Sequence, residues 1–83
     1  PHAEADATAA RSALRDARAA RGWSQADAAR ALRELAGRRG GPEASAASLK
    51  TQLSRWENGH ARPEPEYRSL LAELYGRTAG ELG

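Results

Sequence analysis

Apolar residues recur at helical spacing in four stretches of this chain, and glycine and proline divide them. The first stretch carries Leu14 and Ala17 and stops at Gly22, which predicts a helix from Thr8 or Ala9 to Ala20. The second opens at Ser24, a good N-cap, with Asp27 three residues on, where the acid of a capping box belongs. Ala28, Ala29, Leu32, Leu35 and Ala36 then form one apolar stripe. Gly37-Arg38-Arg39-Gly40-Gly41-Pro42 is expected to break that helix, because three glycines and a proline leave it no continuation.

Leu49, Leu53 and Trp56, at i, i+4 and i+7, mark a third helix that ends at Asn58-Gly59. Ser48 suits its N-cap, which gives a helix over about 48–58, although the Ala-rich Glu43 to Ala47 can add a turn. A loop punctuated by Pro63 and Pro65 follows. Leu70, Leu71 and Leu74 predict a fourth helix to Tyr75, closed by Gly76, and Thr78 with Glu81 forms a capping-box pattern for a short fifth. Residues 1–7 are polar and Ala-rich and read as a flexible arm, which leaves 8–83 as the domain.

Composition narrows the class to all-α. Val, Ile and Phe are absent, so nothing favours a strand, and Ala, Leu, Arg and Glu favour helix. With 83 residues there is material for one modest core, and without Cys neither a disulfide nor a Cys-based zinc site can brace it. The expected architecture is a compact five-helix bundle with a lengthened loop between the second and third helices.

The net charge of +2 says little, but its distribution says more. From Arg11 to Arg62 there are eleven basic residues against five acidic ones, whereas from Glu64 onward four Glu face two Arg. A basic centre suits a polyanion laid across one face, and an Arg-rich solvated surface is the plain alternative. No enzymatic constellation is present: His2 and His60 are isolated, there is no Cys nucleophile, and no glycine-rich loop follows a strand. We therefore expect no catalysis, no cofactor and no metal. No apolar run is long enough for a membrane span, so a cytoplasmic, nucleoid-associated location is the expectation. The abrupt end at Gly83 leads us to expect a larger parent protein with a further C-terminal domain.

Leu14-x-x-x-Arg18, the run Gly22 to Ala29 with Trp23-Ser24-Gln25, the run Leu53-Ser54-Arg55-Trp56-Glu57-Asn58-Gly59, and Arg62-Pro63 occur in that order. Together they resemble the Cro/C1-type (XRE-like) helix-turn-helix family over roughly Ser12 to Leu82. The resemblance implies a bundle whose second helix crosses the DNA backbone while the third enters the major groove. It implies sequence-specific binding of double-stranded DNA as part of a bacterial transcriptional regulator, a repressor in character.

On the third helix, Leu49, Leu53 and Trp56 take the core face, so Lys50, Thr51, Gln52 and Arg55 project away from it. Lys50, Thr51 and Arg55 match base-reading positions of the family, and Gln52 is expected to read a base or hold a phosphate. Gln25 opens the second helix beside Ser24, where unpaired N–H groups favour an anion. The resemblance makes Ser24, Gln25, Asn58 and Arg62 phosphate-binding, with Asn58 also serving as a helix cap. It makes Arg18 and Glu57 a structural ion pair between the first and third helices.

The departure from the family lies in the thirty-one positions from Gln25 to Trp56, about fourteen more than a compact turn needs. The second helix is expected to run about one turn past Leu32 before the Gly/Arg/Pro loop returns the chain, a variety similar to actinobacterial regulators. Arg38 and Arg39 at that loop are expected to clamp a phosphate backbone or enter a minor groove, or else to form a solvated tip. A homodimer on a palindromic operator is expected, with the last two helices around Leu70, Leu71, Tyr75 and Leu82 in contact, while Tyr67 and Tyr75 suit the core equally. The competing reading is a helix-turn-helix adaptor for other proteins, or an antitoxin-type DNA-binding module.

Overall fold

The computed structural model describes residues 13–82. The arm expected over 1–7 and the start of the first helix at Thr8 or Ala9 lie outside the described residues. The chain is helical over residues 13–20 (α1). Then come α2 (Gln25–Arg38), α3 (Ala46–Glu57), α4 (Pro65–Tyr75) and α5 (Ala79–Leu82). The fold is an all-α bundle of five helices, with no strand among the described residues.

One apolar face per helix builds one core. Leu32, Leu49, Leu53 and Leu71 are fully buried at its centre, and Ala28 and Ala29 of α2 are buried with no volume to spare. Trp56 packs on Tyr67 with ring centroids 5.5 Å apart, and Trp23 lies 6.4 Å from Tyr75, so aromatic pairs join α3 to α4 and the α1–α2 corner to α4. Leu70, Leu71, Tyr75 and Leu82 are all buried in this core. These side chains therefore serve as core residues within one chain.

α2 ends inside the expected breaker run, one residue past Gly37 at Arg38, whereas the start of α3 differs from the sequence expectation. Gly37 sits on the exposed side with open space around it, and an interior helical glycine costs only about 1 kcal/mol. The helix ends where the backbone turns left-handed, at Gly40 with φ 66°. There the Gly41 N–H donates to the Ala36 carbonyl at 2.8 Å and the Gly40 N–H to Gly37, a Schellman closure that satisfies the last carbonyls.

α3 starts earlier than Ser48. Ser45 is its N-cap, accepting the Ser48 N–H at 3.1 Å, so Ser48 lies within the first turn. The expected 48–58 helix is thus Ala46–Glu57. The insertion is divided between a longer α2, a short connection over 39–45 and one extra turn of α3.

Candidate nucleic-acid interface

The start of α2 and the outward side of α3 come together around a buried carboxylate. Glu57 is 1% exposed at the end of α3. The Arg18 guanidinium reaches it from α1 with two parallel bonds, Nε to Oε2 at 2.8 Å and a terminal nitrogen to Oε1 at 2.9 Å. A third donor of Arg18 bonds the Trp23 carbonyl at 3.0 Å, which fixes the corner between α1 and α2. The Gln25 amide also donates to Glu57 Oε1, at 3.1 Å. One carboxylate thus ties three helices, and hydrogen bonding to it holds the Arg18 guanidinium above its ordinary pKa despite burial.

At the α2 N-terminus the capping box closes in both directions. Ser24 Oγ accepts the Asp27 N–H at 3.1 Å, and Asp27 accepts the Ser24 N–H at 3.0 Å. These bonds to Ser24, then the charge of Arg30, hold the Asp27 carboxyl below its usual range. Ser24 therefore spends its N–H and an oxygen lone pair within the box, and its hydroxyl proton is what it has to offer an anion.

A groove of ≈ 390 Å³ opens beside this end of α2, lined by Gln25, Lys50, Thr51, Ser54 and Arg55. Three of the four expected base readers meet there with Gln25. Gln52 does not join them; it is half-buried on the other flank of α3, just over half a turn from Lys50. Asn58 caps α3, its amide nitrogen donating to the Ser54 carbonyl at 2.8 Å while its oxygen accepts from Arg15 at 3.4 Å. Gly59 follows with φ 74° and lets the His60 N–H close back on Arg55, which turns the chain toward exposed Arg62.

The two loop arginines separate. Arg38 is exposed at the end of α2. Arg39 lies instead against α4, its Nε bonding Glu73 Oε2 at 3.0 Å and Oε1 at 3.2 Å. Its guanidinium thus bonds a carboxylate of α4 and ties the loop to that helix.

Sequence reasoning passed over Arg15 and Ser54. Arg15 stands one turn before Arg18 on α1, and that spacing was the signal for a second cation near α3. Ser54 follows Lys50 by four positions and Thr51 by three, which puts it on their face. Among the described residues no group of three or more His, Cys, Asp or Glu is arranged to hold a metal, and no helix is long and apolar enough to cross a membrane.

A family model described as the SP15 N-terminal domain matches residues 14–82, which takes in α2 to α5 and all of α1 but its first residue. The chain belongs to the SP15 N-terminal domain family. No curated protein and no solved structure matches it. The matched span of this SP15 N-terminal domain contains the Arg18–Gln25–Glu57 junction, the α3 groove and the Arg39–Glu73 tie.

Under the same junction lies a polar atom without a partner. Among the described residues the Tyr75 hydroxyl is buried and finds no hydrogen bond. Burial first, and the Glu57 charge second, push this phenol up to about 12. Tyr67 is raised as well, by burial and then by Glu64 and Glu66. A raised phenol favours the folded state fully below its unfolded pKa near ~10 and loses that advantage as pH rises through the folded value. Stability is expected to fall between about pH 10 and 12, as followed by urea titration at stepped pH. Tyr75→Phe is expected to flatten part of that fall, with Tyr67 carrying the rest, and to add about 1 kcal/mol at pH 7 by removing an unpaired hydroxyl. An unchanged alkaline limb in Tyr75→Phe would remove the assignment.

Proposed function

We propose that this domain binds double-stranded DNA in a sequence-specific way, as the Cro/C1-type helix-turn-helix module of a bacterial transcriptional regulator. The observation that carries the reading is the groove in which Lys50, Thr51, Ser54 and Arg55 of α3 meet Gln25 of α2. No acidic side chain lines it, and it is borne on helices locked together through Glu57. α3 enters the major groove, where its width admits one helix and base edges face the inserted side chains. Arg15, Gln25, Asn58, Arg62 and Arg38 flank the groove as phosphate contacts.

Two copies pair on a palindromic operator in the cytoplasm. Because the described surface exposes no large hydrophobic side chain, their pairing depends on the DNA rather than on an apolar interface.

Selection from a random duplex library, followed by titration of the winner at several salt concentrations, tests this. A palindromic or half-site consensus is the expected result. Arg55→Ala is expected to cost about 1–3 kcal/mol of binding and to relax one base position. Binding without sequence preference, lost with salt alone, is the outcome that leaves only a non-specific anchor or a protein adaptor.

A further inference from the structure

The two cations of the α3 groove point outward with one kind of chemistry. Lys50 and Arg55 are exposed and supply donors only. Thr51 adds something different. Its hydroxyl donates back along the helix to the Ala47 carbonyl at 3.3 Å. With the hydroxyl bonded inward, the γ-methyl is the group that this exposed residue has left to present. Ser54 Oγ accepts from the Asn58 amide at 3.4 Å, and the Gln25 amide nitrogen is held by Glu57, which leaves the Gln25 amide oxygen as an acceptor at the rim of the groove. Glu57 itself is buried beneath Arg18, so its acceptors do not reach the groove.

Donors with a methyl between them match two of the four base edges of the major groove. Guanine presents the acceptors N7 and O6, and thymine presents O4 beside its 5-methyl group. Cytosine puts forward an amino donor, and adenine sets one beside its single acceptor N7, so neither offers Arg55 the two adjacent acceptors that guanine does. Resting on the DNA-binding reading above, we infer that this groove reads keto bases: guanine through Arg55, a keto oxygen through Lys50, and the methyl group of a thymine through Thr51. Thr51 is then a specificity residue by virtue of a carbon atom rather than its hydroxyl.

The test uses the selected duplex carrying single-atom or single-group changes. Deoxyuridine in place of each thymine removes only the methyl, and 7-deazaguanine in place of each guanine removes only N7. One thymine-to-uracil change is expected to weaken the full chain about fourfold, the worth of one buried methyl, and to leave Thr51→Ser unaffected. One 7-deazaguanine is expected to weaken it about tenfold and to leave Arg55→Ala unaffected. Both variants change exposed side chains, so folding is retained and is checked by circular dichroism. A consensus whose analogues bind as tightly as the parent, or one with adenine or cytosine opposite α3 on both strands' contacted positions, overturns this inference while the DNA-binding reading stands. Failure of the selection to give any consensus overturns both.

Discussion

Glu57→Ala is expected to lower the stability of the domain by about 3 kcal/mol or more, the usual loss when one member of a buried pair is removed. The reason is what it leaves behind. Arg18 has only part of its guanidinium in water, with its side chain 16% exposed, and would lose both carboxylate bonds at once. Gln25 would lose its acceptor as well. Against a total stability of about 5–15 kcal/mol for a domain, that loss removes a large share. Urea denaturation at pH 7 measures it. Glu57→Gln keeps an oxygen for Arg18 and is expected to lose less, so the order wild type, Gln, Ala is itself a result. Equal midpoints for wild type and Glu57→Ala would show the junction to be energetically idle.

Leu32→Ala is expected to cost about 2–5 kcal/mol, and the upper half of that range is favoured by its surroundings. Leu32 is completely buried, and Ala28, Ala29 and Ala36 share its face of α2. These short side chains cannot swing into the space, so the cavity stays open and its lining loses contacts. Leu32→Met, close in volume, is expected to lose less than about 1.5 kcal/mol. Calorimetric melting of the three proteins separates the cavity effect from a general intolerance of change. A loss below 1 kcal/mol for the alanine variant would mean that α2 relaxes onto the gap.

Much of the fold was legible from local chemistry. The first four helices announce themselves through 3.6-residue apolar stripes, and the caps at Ser24 and Thr78 were written as polar residue and acid three positions apart. The core residues followed from the same stripes. The boundaries near the insertion were less legible because two serines, Ser45 and Ser48, both satisfy the N-cap chemistry, and the choice depends on where the returning loop delivers the chain. Within the expected breaker run it is Gly40 that ends α2, because the turn needs positive φ and Gly40 supplies it.

The candidate site divides along the same line. By itself the sequence determined which side chains α3 turns away from its core, since helical periodicity places Lys50, Thr51 and Arg55 opposite Leu49, Leu53 and Trp56. Only the tertiary structure decided which of these stand together and what each has left to offer. Gln52 falls on the other flank, Arg39 is drawn to Glu73 thirty-four positions away, and Leu70 and Tyr75 turn into the core. Helical spacing acts over a few residues, whereas an ion pair or a buried face is decided by elements that only folding brings within a few ångströms.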